Sequence, residues 1–352
     1  MPAMTGIESL EGPVIVTGPG EFADIDALAG CVAYAQLLRL QGNDQAKAVL
    51  TSTLNDSVTR TVRGWHLPYE EEYTPNRSHK VVLVDTSKWD AWDQGVVIDP
   101  EQIVEVIDHN PSTKQAWENH PASIEIVDPM GAACSLVYRR ICDAGMLGEM
   151  AEFPNIINAL RLGIADNTLG LRSRGTRPLD REAERELAKY SDLAEPAVED
   201  YFLERQEVVD AVLEMVLIND TKINYSPYLP YAVAQFEAWN AKPFLEKEQL
   251  ARIVGTLGRH ASWMVNIISI EEETTHFMAS DRFSQAIVEE VLDVSFDPDD
   301  ADNPLGVVSK KGIWQRKDML RILEQDKTGD RPGEKHRRIQ EIKDDAASLS
   351  RK

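Results

Sequence analysis

Pro13-Val14-Ile15-Val16-Thr17-Gly18-Pro19-Gly20-Glu21-Phe22-Ala23-Asp24-Ile25-Asp26-Ala27 is the stretch whose reading decides the fold. Pro13-Val14-Ile15-Val16 is an apolar run that reads as a buried strand, and Gly18-Pro19-Gly20 is a turn. Beyond it, Leu28, Cys31, Val32, Ala35 and Leu38 recur on one helical face. Asp24 and Asp26 therefore stand where a strand ends and a helix begins. In a parallel sheet that is the carboxyl edge, where α/β folds bind ligands. Alone, the pair has a plainer reading: Asp24 caps the helix and Asp26 complements the dipole of its first turn.

Later strands repeat the arrangement. Lys80-Val81-Val82-Leu83-Val84 runs into Asp85, and Ile103-Val104-Glu105-Val106-Ile107 runs into Asp108-His109-Asn110. Continuous apolar runs of this length read as buried parallel strands, and Pro111 biases Asn110 away from helical geometry. Further strands are expected over 47–53 and 123–127, and helices over 131–144 and 153–164. The second helix closes on Ala165-Asp166-Asn167-Thr168. Alternating strands and helices argue for an α/β fold with a doubly wound, mainly parallel sheet. Acidic groups at several strand ends of one sheet point to convergence on one site rather than to separate caps.

The pattern divides the chain into an N-terminal domain over 1–192, a linker over 193–198 and a smaller C-terminal α/β domain with a mixed sheet over 199–325. In the second domain helices are expected over 199–213, 245–259, 283–292 and 317–324. Strands are expected over 216–225, carrying Asp220-Thr221-Lys222, and over 231–239, carrying Gln235-Phe236-Glu237. Others are expected over 262–270, 274–279 and 306–312, the last running into a basic turn at Ser309-Lys310-Lys311. An acidic, proline-containing loop is expected over 296–303. Residues 326–352 are mostly charged, with Gly329, Pro332 and Gly333, and read as a mobile or partner-bound tail.

The 352 residues carry a formal net charge of −22, which disfavours nucleic-acid phosphates and anionic lipid as partners. Cys31, Cys134 and Cys142 each lie in an apolar helical pattern and read as reduced core residues rather than a disulfide framework or zinc site. No apolar run approaches a membrane span, and residues 1–12 lack the pattern of a signal peptide. The cytoplasm is the expected compartment.

Asp and His form a hard oxygen/nitrogen ligand set suited to Mn²⁺, Mg²⁺ or Co²⁺. Several carboxylates and one imidazole could hold one or two such ions and serve phosphoryl transfer. Asp85, from a central strand, suits a bridging role. Lys222 and Ser309-Lys310-Lys311 stand out in an acidic chain as candidates to bind substrate phosphate. No G-x-x-x-x-G-K-S/T loop, G-x-G-x-x-G turn or G-x-S-x-G elbow is present.

Asp24-Ile25-Asp26-Ala27, Val84-Asp85-Thr86 and Val106-Ile107-Asp108-His109-Asn110 resemble, in order and spacing, the motifs of the DHH phosphoesterase superfamily. Gly163-Ile164-Ala165-Asp166-Asn167-Thr168-Leu169 resembles its fourth motif. Asp220-x-Lys222, Gln235-Phe236-Glu237 and Gly306-Val307-Val308-Ser309-Lys310-Lys311 resemble the C-terminal domain of manganese-dependent family II inorganic pyrophosphatases, shared by eukaryotic exopolyphosphatases and prune-like proteins. The resemblance spans roughly residues 13–325. It implies an active site between two domains, Mn²⁺ or Mg²⁺ as one or two ions, and hydrolysis of a phosphoanhydride by metal-activated water. Asp24, Asp26, Asp85, His109 and Asp166 or Asn167 would be metal ligands. Asp85, Asp108 and Asn110 would be catalytic, and Lys222, Ser309, Lys310 and Lys311 would bind substrate. The chain departs from the pyrophosphatase pattern at Gly20, where a metal-binding His is expected, and at Asn110, where the second His of the motif is expected. It departs again at Asn167, where the ungapped comparison expects the fourth-motif Asp, and at Gly312-Ile313 after the lysine pair.

The function expected is thus a metal-dependent phosphohydrolase acting on pyrophosphate, short polyphosphate or a related small phosphorylated compound. The alternative is a catalytically impaired relative that binds a phosphorylated ligand or a protein. An oligonucleotide phosphodiesterase ranks below both. A homodimer is left open.

Overall fold

The computed structural model describes residues 10–74, 76–88, 98–110, 114–115, 117–127, 130–297, 306–326 and 333–349. Pro111 and much of the acidic loop expected over 296–303 lie outside them. The chain divides into two compact units, Met1–Tyr201 and Phe202–Lys352.

The first unit runs β1 (Val14–Thr17), β2 (Phe22–Ala23), α1 (Ile25–Leu40), β3 (Ala46–Val49), β4 (Thr53–Leu54), α2 (Arg60–Arg63), β5 (Tyr69–Glu70), β6 (Lys80–Val84), β7 (Ile103–Asp108) and β8 (Ser123–Ile126). It continues with α3 (Ala133–Asp143), α4 (Leu147–Met150), α5 (Pro154–Thr168) and α6 (Pro178–Leu187), and α7 (Ala197–Ala211) crosses the division. Six strands form one sheet in the order β5-β3-β1-β6-β7-β8. All pairs are parallel. The chain builds outward from β1 through β3 to β5, then returns to place β6 on β1's other side. The reversal makes the gap between β1 and β6 the topological switch point of a doubly wound sheet.

The apolar runs are buried on both faces, as parallel strands require. Val81, Leu83, Val106 and Ile126 pack with Ile103 and Trp117 in one core cluster. Towards the opposite face, α1 comes so close to β6 that a Cβ on Gly30 would meet Val84 Cγ1 at 2.8 Å. Between α1, β7 and α3 lies a buried polar knot. The Tyr34 hydroxyl donates to Glu105, and Arg140 pairs with Glu105 at 2.8 Å and with Glu125 at 3.2 Å.

The second unit runs α8 (Leu213–Asp220), β9 (Lys222–Ile223), β10 (Ala232–Ala238), α9 (Lys247–Leu257), β11 (Trp263–Ser269), β12 (Thr274–Ala279), α10 (Arg282–Leu292), β13 (Val308–Lys311), α11 (Arg316–Gln325) and α12 (Glu334–Leu349). Its sheet is mixed, in the order β13-β12-β11-β10-β9, with β10 and β11 parallel and the other pairs antiparallel. One face packs on α8 and α9 through Phe236, Val265, Leu213 and Ile253. The other packs on α10, α11 and α12 through Val233, Met264, Phe277, Met319 and Ile339.

Three expectations need correction here. Residues 216–220 are helical, not strand: Val209, Leu213 and Leu217 fall four apart and share one core, and that period outweighs the local β-branched residues. Lys310 and Lys311 lie within β13 rather than in a turn after it. The charged region beyond 326 contains α12, whose Ile339 is 6% exposed in the core.

Candidate active site

β1, β6 and β7 are neighbours, so their carboxyl ends bring Asp24 and Asp26, Asp85, and Asp108-His109 to one edge of the sheet. Both readings of the first pair hold at once. Asp24 is the N-cap of α1, its Oδ1 accepting from the Ala27 N–H at 2.9 Å. Asp26, in the first turn, is fully buried. Its Oδ1 accepts from the Cys134 N–H at 2.7 Å, and its Oδ2 from the Ala133 N–H at 2.8 Å and from the Asn167 side-chain amide. The N-terminus of α3 thus grips the Asp26 carboxylate, as helix N-termini do with anions.

Asp85 ends β6 in the left-handed region, with φ of 59°. Its N–H donates to the Ile107 carbonyl at 2.9 Å. Asp tolerates this region better than most residues, though at a cost of order 1 kcal/mol. His109 Nε2 lies 3.2 Å from Asp85 Oδ1 and 3.9 Å from Asp26 Oδ2. Its Nδ1–H donates to the Met130 carbonyl at 3.2 Å. That bond leaves Nε2 facing the carboxylates, the arrangement that orients a metal-ligating histidine. One ligand atom from each of Asp26, Asp85 and His109 lies within 4.8 Å of the others.

The electrostatics describe a pocket short of positive charge. Burial pushes the Asp85 carboxyl well above the ordinary range, and the Asp24 and Asp26 charges add to it. Burial also raises Asp26, against the pull of His109 and the Cys134 and Ala133 donors. Burial alone would lower His109, but its hydrogen bond and attraction to Asp85, together with Asp26 and Met130, outweigh it and raise the imidazole to about 10. Without a cation the pocket keeps a proton at neutral pH. The donor set, two carboxylates and one neutral-capable imidazole on rigid strand and helix ends, fits a hard divalent ion.

The other expected residues take different places. Asp108 is buried at the end of β7, and its Oδ1 accepts from the His109 and Asn110 N–H groups at 2.7 and 3.1 Å. It shapes the turn that presents His109. Asn110 is exposed beside it. Asn167, not Asp166, reaches Asp26, whereas Asp166 Oδ1 lies 2.9 Å from the Tyr201 hydroxyl.

In the second unit Lys222 is on edge strand β9 and Ser309-Lys310-Lys311 on the opposite edge strand β13. Four strand steps separate them, roughly 19 Å at the usual interstrand spacing, so this sheet does not bring them onto one small phosphate. Ser309 Oγ meets His276 Nδ1 at 2.7 Å, and Lys311 Nζ donates to the Glu272 carbonyl. At the other edge Arg316 forks onto Asp220, with bonds of 2.5 and 2.8 Å, and its N–H donates to Gln235 Oε1 at 2.8 Å. Gln235 Nε2 in turn donates to Glu237 at 2.6 Å. Sequence reasoning singled out Asp220, Gln235 and Glu237 but missed Arg316, one basic residue among several in a charged helix. The Ala133 and Cys134 N–H donors were missed as well, since backbone groups carry no side-chain signature.

No protein-family model and no curated protein matches the chain. Among solved structures it is similar to a Methanococcus jannaschii protein described as a family II inorganic pyrophosphatase, at 15% identity and TM-score 0.57. That match covers 89% of this chain and 98% of the other. An exopolyphosphatase-related protein from Bacteroides fragilis is also similar, at 11% identity and TM-score 0.48, covering 89% and 91%. At these identities the likeness to the Methanococcus jannaschii structure is one of fold: an α/β chain with a six-stranded parallel sheet and a separate mixed sheet, as the sequence pattern leads one to expect. No helix among the described residues is long and apolar enough to cross a membrane.

Proposed function

We propose that this chain is a divalent-metal-dependent phosphohydrolase that cleaves a phosphoanhydride in pyrophosphate, short polyphosphate or a related small phosphorylated compound. The observation that carries the reading is the meeting of Asp26, Asp85 and His109 at the switch point of the sheet. A divalent ion bound there supplies a Lewis acid for phosphoryl oxygens and lowers the pKa of water. Asp26, Asp85 and His109 Nε2 would hold it. Asp108 acts by fixing the His109 turn, and Met130 by holding the imidazole so that Nε2 faces inward. Asn110, exposed next to His109, is the residue proposed to meet a phosphoryl oxygen by hydrogen bonding.

Of the two basic edges in the second unit, β13 is the better source of hydrogen-bond donors for phosphate. Ser309 and Lys311 share one face of β13 there, whereas Asp220 and Glu237 bring negative charge to the β9 side. The acid at Asp220 is already matched by Arg316, in bidentate geometry.

The test is phosphate release from pyrophosphate, tripolyphosphate and nucleotides with Mn²⁺, Mg²⁺ and Co²⁺. Release that needs the ion and disappears in Asp85→Ala supports the reading. No release above that control with any pairing overturns it. Gly20 and Asn167 favour a second reading, a phosphate-binding protein without turnover. Tight tripolyphosphate binding with no phosphate released would select it.

A further inference from the structure

We infer that Asp180, on α6, is a positioning residue of the ion pocket: it anchors the segment 130–135, which orients both His109 and Asp26. The inference rests on the reading of this pocket as an ion site. Asp180 stands at the third position of α6, and its Oδ2 accepts from the Arg177 N–H at 2.7 Å. That bond is an ordinary helix cap. Capping needs neither burial nor further donors, yet Asp180 is fully buried and takes two more. Its Oδ2 also accepts from the Gly131 N–H at 3.1 Å, and its Oδ1 from the Ser135 hydroxyl at 2.6 Å.

Those two donors bracket the groups that shape the pocket. The Met130 carbonyl, next to Gly131, takes the His109 Nδ1–H and so turns Nε2 towards the carboxylates. Between Gly131 and Ser135, the Ala133 and Cys134 N–H groups hold the Asp26 carboxylate at 2.8 and 2.7 Å. One buried carboxylate thus pins the segment at both ends, and the segment sets two of the three ligands that meet in the pocket. The fit is tight: a Cβ on Gly131 would meet Thr168 Cγ2 at 2.6 Å and Asp180 Oδ2 closer still. Without the Asp180 carboxylate, the Gly131 N–H and the Ser135 hydroxyl would be buried donors in need of new partners. The segment would have to shift to find them, taking the Met130 carbonyl and the Asp26 donors with it.

The test compares Asp180→Ala, Asp180→Asn and Val81→Ala in the full chain, with thermal denaturation to check that each folds. Calorimetry with MnCl₂ reads ion affinity. Nuclear magnetic resonance of the metal-free chain reads the His109 Nδ1 proton, which its bond to Met130 protects from exchange. Asp180→Ala is expected to weaken Mn²⁺ binding by roughly 10–100-fold, the range for outer-shell partners of metal ligands, and to lose the protected proton. Asp180→Asn keeps an acceptor for the two N–H groups, and the Ser135 hydroxyl can turn to accept from its amide. It is expected to retain the protected proton and most of the affinity. Val81→Ala removes core volume at the far end of β6 from Asp85 and is expected to lower stability with ion binding unchanged. Wild-type affinity in a folded Asp180→Ala overturns the inference and leaves the phosphohydrolase reading standing. An equal loss of affinity in Val81→Ala or in Asp180→Asn does the same. No Mn²⁺ bound by the wild type overturns the ion-site reading and the inference with it. Should Asp180→Ala fail to fold, Ser135→Ala decides. It removes one of the two pins and is expected to weaken ion binding several-fold, and unchanged affinity there overturns the inference.

Discussion

Asp85 combines two features that cost stability: a left-handed backbone and a buried carboxyl beside other acids. Such strain persists where the surrounding structure over-determines it, and it gathers at functional sites. Asp85→Asn keeps the shape and removes the charge. It is expected to weaken Mn²⁺ binding by more than the roughly 10–100-fold typical of an outer-shell partner, as calorimetry would measure, and to abolish phosphate release.

His109 gives the pH dependence. An ion needs the neutral imidazole, and the ion-free imidazole is held up at about 10. Protons therefore compete with the ion, so affinity rises with pH across the neutral range and levels off near that value. Calorimetry in buffers of different ionisation enthalpy should show about one proton released per ion bound. Affinity independent of pH between 6 and 9 would contradict this assignment. At this scale Asp26, Asp85 and His109, whose ligand atoms come together in the structure, could be picked out because Asp85 and His109 close apolar runs and Asp26 opens the helix after one. The choice between Asp166 and Asn167 was not. Neighbours on a helix point about 100° apart, and only the packing of α5 decides which one faces Asp26.

Among the elements, the contacts of α1 with α3 and α5 set the site. A Cβ on Gly163 would lie 2.7 Å from Cys134 Sγ and 3.2 Å from Asp26 Cα. Gly163→Ala must push α5 away, carrying Asn167 with it. It is expected to destabilise the first unit by about 1–3 kcal/mol in urea denaturation and to change ion affinity, although residue 163 carries no ligand. The strands were readable from their apolar runs, and Ala232–Ala238, Trp263–Ser269 and Thr274–Ala279 came out within a residue or two. The order of strands in the sheet was not readable, so the opposite-edge placement of Lys222 and Lys310 could not be foreseen. Residues 216–220 show the reverse failure. Val216 and Ile218 suggest a strand locally, but Val209, Leu213 and Leu217 form one helical core stripe.

Across the whole molecule, the division into two α/β units was legible, and the fate of the charged C-terminal region was not. Composition marked it as a tail, yet Ile339 gives α12 an anchor in the second core. Ile339→Ala is expected to cost about 2–3 kcal/mol in the unfolding of that unit, measured by denaturation. The net charge of −22 also has a consequence for partners. Single-stranded oligonucleotides should show no binding in a fluorescence anisotropy titration even at low salt, where phosphate contacts are strongest.

Phosphate release as a function of ion occupancy tests the central claim most directly. The metal-stripped chain, given tripolyphosphate or pyrophosphate at neutral pH, should release nothing. Release should then rise in step with Mn²⁺ bound and be lost in Asp85→Ala. Turnover that persists under chelator, or that survives intact in Asp85→Ala, would contradict the account.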